Sequence, residues 1–230
     1  MLDQLVDSSL SVTLKTPLVL LVLVVLEAVL SADNAIALAA IAQGLEDPKR
    51  QRRALNVGLV LAYILRMLLI LTATWVIKYW QFELLGAVYL LWLVFRYFTS
   101  PESADDNSHR LKFQSLWQAI PLIAVTDLAF SLDSVTTSIA VADDTWLILV
   151  GGTIGVIALR FMAGLFIRWL DEYTHLEDAG FLTVGLVGLR LLLRVVQPEF
   201  VPPEWIMLSL IAMVFLWGFS ERQDEQTDKN

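Results

Sequence analysis

The sequence predicts an all-α polytopic membrane protein, a single domain over residues 1–230 with seven transmembrane spans arranged as two inverted three-helix repeats and a C-terminal helix. Three observations predict it. The 230 residues are 57% hydrophobic and 17% charged, with a mean hydropathy of +0.66, and several apolar runs approach the ~20 residues that a helix needs to cross hydrocarbon. Lysine and arginine fall unevenly on alternate connections. An acidic motif inside the first apolar run returns inside the fourth, at a spacing of 100 residues.

The spans fall at about 17–42, 55–77, 82–98, 117–141, 145–168, 179–196 and 202–219. The first run, Pro17 to Ala42, exceeds the roughly 7–15 apolar residues of a secretory leader and contains Glu27 and Asp33, so it reads as a retained span. The third and sixth are the shortest, and they carry Arg96, or Arg190 and Arg194, near one end, where long basic side chains reach headgroups. Lys49, Arg50, Arg52, Arg53, Arg96, Arg110, Lys112, Arg168, Arg222 and Lys229 fall on one side, and Lys15, Lys78 and Arg194 on the other. This ten-to-three bias puts the N-terminus outside and the tail, 220–230, in the cytoplasm. Trp75, Trp80, Trp117, Trp146, Trp169 and Trp205 lie near span ends, where indole rings anchor at the interface.

The repeat extends beyond its motif. Glu27-Ala28-Val29-Leu30-Ser31-Ala32-Asp33-Asn34 aligns with Asp127-Leu128-Ala129-Phe130-Ser131-Leu132-Asp133-Ser134. At an offset of 94, Gly58 then matches Gly152, Arg66 matches Arg160, Gly86 matches Gly180 and Arg96 matches Arg190. Repeat 1 covers about 15–100, repeat 2 about 115–197, and the span at about 202–219 stands outside both. Three spans per copy is an odd number, so the second copy enters the membrane from the opposite side. Transporters of this architecture bind substrate near the midplane at the repeat interface.

Glu27, Asp33, Asp127 and Asp133 sit where a lipid-facing helix should carry no charge. Each costs roughly 2.5–3.5 kcal/mol at a bilayer centre, so such groups are functional candidates by default. On a straight helix Glu27, Ser31 and Asn34 share a face while Asp33 lies about 120° away. Serine, aspartate and asparagine compete for backbone hydrogen bonds. Spans 1 and 4 are therefore expected to be interrupted near Asp33 and Asp133, with freed carbonyls facing a polar cavity. Four carboxylates set against Arg66 and Arg160 leave two negative charges, which one divalent cation neutralises. A structural ion-pair cluster without any ligand is the alternative, since arginine clamps carboxylates bidentately.

Carboxylate, amide and hydroxyl donors suit magnesium, calcium or manganese rather than zinc or copper. The chain has no cysteine, and His109 and His175 lie in or beside loops. Carboxylates that are unpaired in a dry site also exchange protons, which leaves proton-coupled antiport open. No prosthetic group is expected. No phosphate-binding glycine loop, metalloprotease histidine pair or nucleophile elbow appears, so the chain does not read as an enzyme. No basic patch of nucleic-acid character appears either. The expected partners are a divalent metal ion and membrane lipid.

At Glu27 to Asn34, at Val125-Thr126-Asp127 through Asp133-Ser134-Val135, at Gly58 to Arg66 and Gly152 to Arg160, and at Gly180-Phe181-Leu182, the chain resembles the TerC family of integral membrane proteins over roughly 15–220. The resemblance implies a seven-span protein and, for several bacterial members, export of manganese; other members are linked to tellurite resistance or to membrane-protein and thylakoid biogenesis. It implies that Glu27, Asp33, Asn34, Asp127, Asp133 and Ser134 hold the ion. Ser134 stands where the first copy has Asn34. The expected function is a manganese exporter working by alternating access, in a bacterial inner membrane or a thylakoid. An assembly or scaffold protein and a small-solute exporter are its rivals.

Overall fold

The first apolar run folds as the longest helix of the computed structural model, α1, Leu2–Gln43. It is followed by α2, Pro48–Val76, α3, Trp80–Thr99, α4, Leu116–Val141, α5, Thr145–Trp169, α6, Leu176–Val196, a single 3-10 turn at Pro198–Phe200, and α7, Glu204–Gly218. The structure describes the backbone of residues 2–76, 78–99, 113, 115–142 and 144–222, and within these the side chains of all but 2–16, 26, 29–30 and 32–33. Among the described residues there is no strand, only an isolated antiparallel bridge between Tyr173 and Arg222. Helices α2 to α6 are each long and apolar enough to cross a membrane; α7 is shorter, as is the apolar segment Asn34–Gln43 of α1.

Local chemistry sets the boundaries. Ser115 caps α4, its hydroxyl accepting from the Trp117 N–H at 3.2 Å. Pro198 follows the end of α6, and Pro203 in an extended conformation precedes α7, as expected of a residue that cannot continue a helix. The expected interruption of spans 1 and 4 does not occur: the helical backbone is continuous through 29–36 and 129–136. The hydroxyls of α4 turn back on their own helix instead. Ser131 donates to the Asp127 carbonyl at 2.7 Å, Thr136 to that of Leu132 at 2.7 Å and Thr137 to that of Asp133 at 3.0 Å. Such bonds one turn back satisfy the hydroxyl without opening the backbone ladder.

Helices α1 and α4 have no single apolar face, and both are central. Residues 34–43 of α1 are buried throughout, as are 44 and 45 just after it. Helix α1 packs mainly on α5 and also on α4 and α6; α4 packs mainly on α2 and also on α1 and α3; α3 lies along α6, and α7 covers α6. Among α1 to α6, exchanging α1, α2 and α3 for α4, α5 and α6 leaves this pattern unchanged; α7, packed on α6, stands outside it. Small residues permit the close crossings: a Cβ on Gly58 would meet Ile123 of α4 at 2.6 Å, and one on Gly151 would meet Leu23 of α1 at 3.3 Å. Large apolar side chains such as Leu68, Leu71, Phe95 and Phe161 face outward, where hydrocarbon replaces water. Trp75, Trp80, Trp117, Trp146 and Trp205 are exposed near helix ends, while Trp169 packs edge-on against Phe166 and Phe219.

One end of the bundle is tied across elements. The Phe113 N–H donates to the Gly44 carbonyl at 2.7 Å, the Gln43 amide to the Ile167 carbonyl at 2.8 Å, and the Thr174 N–H to the Glu221 carbonyl at 3.2 Å. These bonds gather the connection after α1, the approach to α4, the end of α5 and the tail after α7. Lys49, Arg50, Arg52, Arg53, Arg168 and Arg222 therefore share this end. His109, Arg110, Lys112, Lys229 and the acidic connection at 101–107 lie outside the described residues, as does the side chain of Lys15.

Candidate functional site

The first carboxylate of each repeat meets the other on one guanidinium. Glu27 of α1, Arg66 of α2 and Asp127 of α4 are 3%, 1% and 0% exposed. Arg66 Nη1 donates to Glu27 Oε2 at 2.9 Å, Nε donates to the Ser131 hydroxyl at 2.9 Å, and Nη2 lies 3.5 Å from Asp127 Oδ1. That last contact is ionic without hydrogen-bond alignment, so both Nη2 and Oδ1 lack a hydrogen-bond partner. Two carboxylates on one guanidinium leave one negative charge. Gly155 of α5 gives the Glu27 carboxylate its room, for a Cβ there would stand 3.0 Å from Oε2.

Asp133 faces the other way. Six residues beyond Asp127, it is turned about 120° around α4 and displaced by about 9 Å along it. Its Oδ2 accepts from Arg190 Nη1 at 2.5 Å, and its Oδ1 lies 2.6 Å from Arg194 Nη2. Oδ1 nevertheless lacks a hydrogen-bond partner, so that second contact is close but poorly aligned. Arg190 also reaches Glu204 of α7 at 3.5 Å, and Arg194 reaches Glu83 of α3 at 3.9 Å. Three carboxylates thus face two guanidiniums.

Arg190 and Arg194 thus correct the sequence reading, which sends them to the headgroups. Their spacing of four residues puts both on one face of α6, and that periodicity was the available signal. Glu83 and Glu204 carried no comparable signal. A second correction concerns Arg160, expected to share in neutralising the buried carboxylates. It lies instead between α5 and α2, where Nε donates to Asn56 Oδ1 at 2.5 Å.

The displaced arginine accounts for two orphan acceptors. In the first repeat Arg66 serves Glu27 and Ser131; the repeat would have Arg160 serve Asp127 and Ser31. Among the described residues, Ser31 Oγ and Asp127 Oδ1 are two of the buried atoms left without a hydrogen bond, on residues 1% and 0% exposed. Buried acceptors of this kind cost roughly 1–3 kcal/mol each if nothing satisfies them. Asn34 and Ser134 are both buried, and the Ser134 hydroxyl donates at a long 3.5 Å to the Ser131 carbonyl. The side chain of Asp33 lies outside the described residues.

Of the six expected ligands, Glu27 and Asp127 converge, Asn34 and Ser134 are buried on the same two helices, and Asp133 belongs to a separate cluster. Among the described residues no three histidine, aspartate or glutamate side chains converge as a ready ion site. Arg66 stands between Glu27 and Asp127, and Asp133 is set apart from both by its position on α4.

Comparison with known proteins agrees with this architecture. Residues 13–225 match the Integral membrane protein TerC family. The chain is similar to the uncharacterized membrane protein YceF of Bacillus subtilis, 36% identical over 176 residues, or 74% of this chain and 68% of that protein. It is also similar to the uncharacterized membrane protein YkoY of the same organism, 34% identical over 196 residues, or 76% of this chain and 59% of that protein. The thylakoid membrane protein TERC of Arabidopsis thaliana is 26% identical over 199 residues, 74% of this chain and 52% of that protein. The chain thus spans between half and about two thirds of these relatives. No solved structure matches it. With apolar helices long enough to span a bilayer and a family match over most of its length, the chain is a multi-pass integral membrane protein of the TerC family.

Proposed function

We propose that this protein is a secondary transporter that exports a divalent cation, manganese first among the hard ions, from the cytoplasm of a bacterial cell. The observation that carries the reading is the buried cluster where α1 meets α4. It holds two carboxylates on one guanidinium, a residual negative charge, and two orphan oxygen acceptors on residues almost wholly buried. Oxygen donors with uncompensated negative charge fit a hard divalent cation as cargo. Glu27, Asp127 and Ser31 would take it from one side, with Asn34, Ser134, Asp33 and Asp133 completing the path along the two helices. Calcium and magnesium fit the same donors.

Seven spans in two inverted repeats suit this function. Support comes from the exchange-invariant packing of the six helices and from the unequal state of the two matching arginines. Arg66 is engaged with the carboxylates, whereas Arg160 is withdrawn to Asn56. Alternating access in inverted repeats exchanges such roles between the halves. The cation-rich end of the bundle would face the cytoplasm, which sets the N-terminus outside and the tail inside.

A second reading has one observation in its favour. Glu27, Asp127 and Asp133 each already lie against arginine, as in an ion-pair bundle that serves membrane-protein assembly. Manganese tolerance and cell manganese content separate the two. In cells producing Asp127→Asn or Glu27→Gln at wild-type levels in the membrane, tolerance is expected to fall and manganese content to rise. Unchanged manganese content in both variants would leave the assembly reading standing.

A further inference from the structure

Between α2 and α5, at the cation-rich end of the bundle, lies a cleft of which the transport reading uses only Arg160. Its mouth, about 360 Å³, is lined by Arg52, Arg160 and Arg168. Beside it runs a groove of about 560 Å³ whose walls include Leu59, Val60, Val156, Ile157 and Phe161. Tyr63 and Thr153 join their hydroxyls at 3.2 Å across the far part of this groove. Arg160 and Phe161 line both compartments, so mouth and groove adjoin.

Charge at the mouth is one-sided. Among the described residues none of the three arginines has a carboxylate within ion-pair distance, and Arg160 has only the neutral Asn56 amide as partner. Arg160 lies about 12 Å inside Arg168 along α5, at 1.5 Å per residue. A guanidinium anchored that far from the helix end, even one reaching back toward it, costs free energy unless an anion meets it. Its direction is also informative, because a Cβ on Gly164 would stand 3.0 Å from Arg160 Nη1. The guanidinium thus lies over Gly164, turned toward the mouth and the other two arginines.

We propose that this cleft binds an anionic glycerophospholipid of the surrounding leaflet, its phosphate on Arg52, Arg160 and Arg168 and one acyl chain in the groove between α2 and α5. Charge complementarity selects an anion, and the apolar groove running inward from the arginines selects one that carries a hydrocarbon chain. A soluble phosphate would use the mouth alone. Basic recesses between spanning helices at one membrane face are suited to such headgroups.

The test is native mass spectrometry of the full chain in detergent, titrated with phosphatidylglycerol or with phosphatidylcholine of the same acyl chains. Phosphatidylglycerol is expected to be retained preferentially. Each of Arg52→Gln, Arg160→Gln and Arg168→Gln is expected to weaken it about fivefold, as about 1 kcal/mol per basic residue implies. Val156→Trp, which fills the groove, is expected to weaken phosphatidylglycerol with all three arginines intact, and excess glycerol phosphate is expected not to displace the lipid. Equal retention of the two lipids by the wild type overturns the proposal, as does displacement by glycerol phosphate. Should Arg160→Gln fold poorly, the exposed Arg52 and Arg168 decide: wild-type retention in their double variant overturns it.

Discussion

Removing the Arg66 guanidinium is the most informative single perturbation of the buried cluster. In Arg66→Gln, Glu27 and Asp127 remain almost wholly buried, and the cation that lies 2.9 Å from one and 3.5 Å from the other is gone. Breaking a buried pair by deleting one partner costs about 3–5 kcal/mol, because the other is left as an uncompensated charge. Two carboxylates are abandoned here, so the upper part of that range applies. If the cluster accepts a divalent cation, manganese then replaces the guanidinium and returns about 2.7 kcal/mol at one hundred times its dissociation constant. The triple variant Glu27→Gln, Arg66→Gln, Asp127→Asn removes the charges together and is expected to recover most of the loss while losing the response to manganese. Reversible unfolding of the purified protein in mixed micelles, with and without manganese, reads all three. A loss below about 1 kcal/mol in Arg66→Gln would refute the claim that the cluster is charged and dry. Equal stabilisation of single and triple variants by manganese would refute the claim that the carboxylates receive it.

Other expectations follow from the same geometry. Gly155→Val presses on the Glu27 carboxylate and is expected to cost about 1–3 kcal/mol by overpacking, measured by the same unfolding. Arg160→Gln, which breaks no ion pair among the described residues, is expected to cost less than Arg66→Gln by at least about 2 kcal/mol. Tyr97→Phe removes the hydroxyl that donates to Asp178 at 2.8 Å while keeping the ring stacked on Phe181. Its expected cost is about 1.5–3 kcal/mol, and Tyr97→Leu is expected to cost more. Asp133→Asn leaves Arg190 and Arg194 without their shared carboxylate and is expected to weaken the hold of α6 on α4, read as faster amide exchange in α6.

Much of the architecture was legible because hydrophobic runs in a membrane chain have one dominant solution. Five expected spans correspond to helices α2 to α6, and the repeat of Glu27 to Asn34 in Asp127 to Ser134 marked the two helices that cross at the centre. The convergence of Glu27 with Asp127 was legible from the same repeat. The unbroken course of α1 and α4 was not, because cap-forming residues were expected to win over the ladder. In α4 their hydroxyls bond one turn back and leave the ladder intact. The arginine partners were only half legible. Sequence places Arg66 and Arg160 at matching positions, but which of two equivalent arginines is engaged depends on the conformation of each half. Asp133 lies about 120° from Asp127, an angle the helical period gives directly. The identity of its partners depends on how α6 and α7 pack, and that is tertiary information.

Manganese flux in proteoliposomes tests the central claim most directly. With the purified protein in liposomes containing a manganese-sensitive dye, manganese added outside is expected to enter saturably through the wild type and not through Asp127→Asn. Entry through wild type no faster than through protein-free liposomes, with the protein folded and inserted, would contradict the account.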